Sequence, residues 1–137
     1  MIVGTEWLIE ATDCQTASLR DEDAIRGILS NVIADLGLRS IGSVWHKFEG
    51  EGGVTGLIAL TESHLACHTY PEYGTATFNL YCCRTRPEWD WESKLKIALG
   101  ADHVSVTKIE RGKSRSQIPN VKSGISELKF ETAGGEA

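Results

Sequence analysis

Ala76-Thr77-Phe78-Asn79-Leu80-Tyr81-Cys82-Cys83 alternates without a break: Ala76, Phe78, Leu80 and Cys82 are apolar, while Thr77, Asn79, Tyr81 and Cys83 form a more polar set. A period of two is that of a strand with one covered face and one open face. The even positions are therefore expected to pack beneath helices. The alternation also gives the adjacent cysteines different surroundings, with Cys82 in the core and Cys83 on the polar side, where a site has room.

Immediately upstream, Glu62-Ser63-His64-Leu65-Ala66-Cys67-His68-Thr69-Tyr70-Pro71-Glu72-Tyr73-Gly74 gathers two imidazoles, a thiol and two carboxylates around Ser63, after an apolar run from Val54 to Leu60. Packing alone does not account for such a cluster between two strand-like runs. Ser40 to Phe48 and Val54 to Glu62 read as two strands joined by the glycine-rich loop Glu49-Gly50-Glu51-Gly52-Gly53. Val3 to Ala11, with Trp7 and Ile9, reads as a further strand, and His103 to Ile109 as the last. Ile25, Ile28, Leu29, Val32, Ile33 and Leu36 form one helical stripe, with Ser18 or Asp21 to cap its start and Gly37 to end it. After Pro87, Trp91, Leu95 and Ala98 share a second helical face, closed by Gly100. Two helices and about five strands with short connections imply an α+β fold: a two-layer sandwich, an antiparallel sheet with two helices on one face. The domain is expected to span 1–112. Residues 113–137, rich in Ser, Lys and Gly, read as a polar, largely flexible tail with one short strand expected near Leu128 to Phe130.

With 137 residues, 41% hydrophobic and 24% charged, the chain reads as one ordinary globular domain rather than a disordered or membrane protein. A net charge of -5 gives no reason to expect nucleic acid or an anionic membrane as partner and suits a cationic substrate. The start, Met1-Ile2-Val3-Gly4-Thr5-Glu6, has no basic region followed by a long apolar core, so a cytoplasmic location is expected. Cys14, Cys67, Cys82 and Cys83 lack the spacing of a disulfide framework and read as reduced thiols. His64, Cys67, His68, Cys82 and Cys83 match no common zinc spacing, and no metal is expected.

Glu-Ser-His-Leu, then His-Thr-Tyr-Pro-Glu-Tyr-Gly, then a strand ending in Cys resembles the core motif of the prokaryotic S-adenosylmethionine decarboxylases, small enzymes that make their own pyruvoyl cofactor. A weaker likeness covers Gly4 to Cys14 and His46-Lys47-Phe48, so the resemblance runs to Gly112. It implies self-cleavage between Glu62 and Ser63, giving a β chain of 1–62 and an α chain whose first residue becomes the pyruvoyl group. The Ser63 hydroxyl attacks the Glu62 carbonyl, amide becomes ester, and loss of the Ser63 α-proton expels the new carboxylate. The residue left behind hydrolyses with release of ammonia. The resemblance assigns His68 to the proton transfer that drives elimination. An upstream hydroxyl assists, here Thr55 in Val54-Thr55-Gly56 where the family has Val-Ser-Gly.

A pyruvoyl carbonyl takes up a substrate amine and accepts the electrons released as carbon dioxide leaves. The resemblance gives Cys83 the role of proton donor to the resulting carbon, sets Glu72 near the substrate sulfonium, and makes Phe48 and Leu65 walls against the adenine. It further implies a homodimer of αβ units with sites near the interface between protomers, and a product used as aminopropyl donor for spermidine. The chain departs from the family at Glu6, where histidine is usual, at Glu10, where aspartate is usual, and at Arg84, where glycine usually follows the cysteine. These departures leave one alternative, a pyruvoyl-dependent decarboxylase of arginine or ornithine with Glu6 pairing the substrate cation; a second, of another class, is an unprocessed regulatory paralogue, against which the retention of Ser63, His68 and Cys83 argues.

Overall fold

The structure, a computed structural model, describes residues 1–112. Along the chain come β1 (Gly4–Thr12), α1 (Thr16–Leu19), α2 (Glu22–Leu36), β2 (Ser40–Lys47), β3 (Val54–Leu60), β4 (His64–Tyr70), β5 (Thr75–Cys82), α3 (Trp91–Leu99) and β6 (His103–Arg111). The six strands make one sheet in the order β2-β3-β4-β5-β1-β6, every neighbouring pair antiparallel. The expected tail and its short strand near Leu128 to Phe130 lie outside the described residues.

Alternation along each strand decides which side the helices cover. Trp7, Ile9 and Ala11 of β1, Leu65 and Cys67 of β4, and Ala76, Phe78, Leu80 and Cys82 of β5 are buried in one core with Ile25, Ile28, Leu29 and Val32 of α2 and Trp91, Leu95 and Leu99 of α3. The even positions of β5 thus lie under the helices, as their pattern requires. Among the described residues, no helix lies on the other face of the sheet. There Glu6 and Leu8, Thr55 and Leu57, His64 and His68, and Thr77 and Asn79 share the outward positions.

Local chemistry sets the ends of the helices. Asp21 Oδ1 accepts from the Ala24 N–H at 3.2 Å, and Gly37 closes α2 at φ 64°, a left-handed turn that glycine adopts freely. Asp90 caps α3 by accepting from the Ser93 N–H at 3.3 Å. On α3 the stripe runs Trp91, Leu95, Leu99; Ala98 is exposed, because spacings of four keep the buried side chains above one another. Trp91 packs on Phe78 and on Trp89, with ring centroids 5.7 and 4.9 Å apart.

The sheet has one strand more than the pattern suggested. β4 runs through the polar cluster itself, where His64 and His68 share one face at a period of two. The single helical turn α1 and a 3-10 turn at Pro71–Tyr73 are likewise additions. Thr69 holds α1 to the sheet: its hydroxyl is buried, donates to the Leu19 carbonyl at 2.7 Å and accepts from the Val54 N–H at 2.8 Å.

Candidate active site

The first cluster sits at the bend between β3 and β4. The Leu60 N–H donates to the Ser63 carbonyl at 2.9 Å, tightening the turn and lifting Glu62 and Ser63 out of the ladder. Antiparallel pairing of His64 with Tyr81 brings the end of β5 alongside. The Cys83 thiol therefore reaches the Glu62 carbonyl oxygen and donates a hydrogen bond to it. The Ser63 hydroxyl lies beside the thiol of Cys82. Burial raises the pKa of that thiol, and the nearby charge of Arg86 and the Ser63 hydroxyl draw it partly back. Glu62, Ser63, Cys82, Cys83, Arg84 and Arg86 are among the residues lining a cavity of about 20 Å³, enough for one water.

The second cluster lies at the opposite end of β4. Register sets Thr55 against His68, and Thr55 Oγ1 is 3.2 Å from His68 Nδ1. Thr55, His68, Phe48 and Glu72 surround a cavity of about 420 Å³, floored by Gly52, Gly53 and Thr69. Glycine is required at position 53, where a Cβ would collide with the Thr69 carbonyl. Phe48 is held edge-on against His46, their centroids 4.5 Å apart, and Glu72 is exposed on the 3-10 turn. Leu65 is not part of this cavity: it is fully buried on the helix-covered face, since the odd residues of β4 point into the core. The reading of Leu65 as an adenine wall is corrected accordingly.

Five residues of strand at about 3.3 Å each separate Ser63 from His68 by about 16 Å. The bend turns Ser63 toward Cys82 on the helix side, while His68 points to the open face. The chain thus brings together Glu62, Ser63 and Cys83, and separately Thr55, His68, Phe48 and Glu72. Between the two clusters a third group spans the open face. His64 Nε2 is 2.9 Å from Asn79 Oδ1, the Asn79 amide donates to Glu6 Oε2 at 2.6 Å, and Arg111 donates to Glu6 Oε1 at 3.2 Å while stacking on Tyr81. Outward parity on β1 and β5 was the available sequence signal for this network. Glu6 is already paired, so the case for a cationic amino acid at that carboxylate falls away.

A hydroxyl, a carbonyl polarised by a thiol, and a histidine paired with a hydroxyl are carried by a helix-backed antiparallel sheet. Such groups are those of an α+β lyase that first remakes its own backbone. The chain matches the S-adenosylmethionine decarboxylase family over residues 5–112 and belongs to that family. It is 36% identical over 112 residues to an S-adenosylmethionine decarboxylase proenzyme of Prochlorococcus marinus, covering 80% of this chain and 88% of that one. To a proenzyme of the same description from Pelotomaculum thermopropionicum it is 32% identical over 111 residues, covering 80% and 87%. Its fold is similar to the crystal structure of the adenosylmethionine decarboxylase from Aquifex aeolicus, with a TM-score of 0.71 and 24% identity over 83% of this chain and 94% of that one.

Proposed function

We propose that this chain is a self-processing, pyruvoyl-dependent decarboxylase of S-adenosylmethionine that cuts itself between Glu62 and Ser63. The observation that carries the reading is the hydrogen bond from the Cys83 thiol to the Glu62 carbonyl, the group on which negative charge builds as the Ser63 hydroxyl attacks. The Cys82 thiol, kept protonated by burial, fixes that hydroxyl beside its target. Thr55 orients His68 for removal of the Ser63 α-proton.

A pyruvoyl group at position 63 fits these residues, since the bend is free of the ladder and the small cavity beside it has room for the water that hydrolysis consumes. When formed, that group supplies the carbonyl that engages the substrate amine and draws electrons as carbon dioxide departs. Cys83 holds a proton at Sγ for the substrate α-carbon. Glu72 faces the sulfonium and Phe48 walls the adenine. The product is decarboxylated S-adenosylmethionine, an aminopropyl donor for spermidine.

The working unit is a homodimer of αβ units in the cytoplasm. Its support is the open sheet face, where Leu8, Val44, Leu57 and Ile109 are exposed together, and the 16 Å or so between Ser63 and His68 of one chain. Two such faces packed about a two-fold axis set the Thr55–His68 pair of one protomer against the Ser63 bend of its partner. No helix among the described residues is long and apolar enough to cross a membrane.

An intact mass spectrum of freshly purified protein tests the reading, followed by trapping with S-adenosylmethionine and cyanoborohydride. Two chains divided at Glu62–Ser63, with the substrate adduct on the α chain, are expected. A chain that stays whole for days refutes it.

A further inference from the structure

We infer that Arg84 and Arg86 form a cationic clamp for the self-cleavage: Arg84 positions Glu62 in the uncut chain, and Arg86 receives the carboxylate that cleavage creates at Glu62. The inference rests on the self-processing reading above and assigns two further residues to that step.

Arg84 Nε lies 2.7 Å from both carboxylate oxygens of Glu62. The pair is exposed, so it adds little to stability. Its effect is geometric: it restricts the side chain of the very residue whose carbonyl Cys83 holds. One segment, Cys83 to Arg84, thus grips Glu62 at its carbonyl and at its side chain.

Arg86 is in a different condition. It donates from Nη1 to the Leu36 carbonyl at 3.2 Å, but its Nε is buried and has no partner. A buried cationic donor without an acceptor is costly. Arg86 lines the same small cavity as Glu62 and Ser63, and its charge reaches the Cys82 thiol beside which the Ser63 hydroxyl lies. Among the described residues that donor meets no anion. Cleavage makes one.

The balance is as follows. Ser63 Oγ bonds to the Glu62 carbonyl carbon, the C–N bond breaks, and the Ser63 nitrogen takes up the hydroxyl proton, leaving an ester and a free amine. The Ser63 α-proton then passes to a base, its electron pair forms the Cα–Cβ double bond, and the Cβ–Oγ bond breaks. The electrons of that bond stay on Oγ, now an oxygen of the Glu62 α-carboxylate. Water completes the sequence by hydrolysis, releasing ammonia, and nothing is oxidised or reduced. Negative charge on Oγ appears only in the elimination, beside Ser63, within the cavity that Arg86 lines. Stabilisation confined to that charge accelerates the step rather than the ground state.

The two arginines therefore serve different steps, and their variants separate. In Arg86→Gln the elimination slows roughly 10- to 100-fold, the loss expected for a charged hydrogen bond. The ester accumulates, and hydroxylamine splits the unprocessed chain at Glu62–Ser63. Arg86→Lys keeps the charge and recovers most of the rate. In Arg84→Gln the acyl shift slows instead, by several-fold, and the uncut chain resists hydroxylamine. Progress is read by intact mass over time, with thermal midpoints recorded on the same samples. Arg86→Gln splitting at the wild-type rate overturns the clamp, as does a slow Arg86→Gln chain that Lys does not rescue and hydroxylamine does not cut. If wild-type protein itself stays whole, the self-processing reading fails and the clamp with it; if wild type splits and both variants split equally fast, the clamp alone fails.

Discussion

The Cys83 thiol donates to the carbonyl oxygen of Glu62 across the end of β4 and β5. On the proposed reading, one side chain both touches the backbone bond that opens during processing and protonates the substrate α-carbon afterwards. Removing it has two consequences. Cys83→Ala should slow chain splitting by roughly 10²- to 10³-fold, the usual loss when one donor to a developing oxyanion is deleted. Cys83→Ser keeps an O–H donor and should split much faster than the alanine variant, yet release less carbon dioxide per split chain because a serine hydroxyl is a far weaker acid. Denaturing gels against time and evolved carbon dioxide report the two effects. Equal splitting by the alanine variant and wild type would remove Cys83 from processing.

The separation of Ser63 from His68 within one chain yields a complementation experiment. A Ser63→Ala chain cannot be cut and a His68→Ala chain lacks its proton carrier, so each alone should remain whole. If the protein assembles as the proposed homodimer, the Ser63→Ala chain of a mixed dimer still lends its Thr55–His68 pair to the partner's Ser63 bend. Co-expressed chains carrying different tags should therefore split only the His68→Ala chain, to about half of the total chain in a fully mixed dimer. Mixed dimers that stay whole would sink the arrangement in trans and require a rearrangement within one protomer.

Much of this was legible in the residues because alternation is a local property. Ala76 to Cys82 gave the covered face, and the stripe from Ile25 to Leu36 gave α2. Leu65 and Ala98 were misassigned for one shared reason: a motif or a turn of helix locates a residue only to within one position, and one position changes the face. The Ser63 and His68 assignment came from resemblance, since parity alone sets them on opposite sides. Arg84 and Arg86 carried no periodic signal at all. Their relation to Glu62 and to the bend around it arises from a pairing of β4 with β5 across about twenty residues, which local pattern does not encode.

Thr69 supplies a stability prediction beside the substrate cavity. Its hydroxyl both donates to Leu19 of α1 and accepts from Val54 of β3, and the residue is buried. Thr69→Val preserves shape but strands a carbonyl and an N–H, at a cost of about 1–3 kcal/mol for each group left unsatisfied. The variant should unfold at lower urea with an unchanged slope. The cavity that Thr69 floors also holds the Thr55–His68 pair, so the variant should weaken substrate binding and slow chain splitting together. A midpoint within error of wild type would show that water satisfies both groups.

Cys67 sets how the fold responds to alkali. It is fully buried in the core, and burial pushes its thiol from an ordinary value of 9.0 up to about 12. Below pH 9 the folded and unfolded chains both keep this proton, and stability does not depend on it. Between pH 9 and 12 the unfolded chain has released the proton while the folded chain retains it, so unfolding gains from ionisation and stability falls by about 1.4 kcal/mol per pH unit. Cys14, raised to about 11 chiefly by burial, adds a second contribution that ends sooner. Cys67→Ala should be less stable than wild type at pH 8 through the lost packing, yet lose stability less steeply above pH 9, so the two curves converge. Urea midpoints in reducing buffer at pH 8, 9, 10 and 11 measure the slopes. Parallel curves would mean that the folded protein admits water to Cys67 and lets it ionise near its unfolded value.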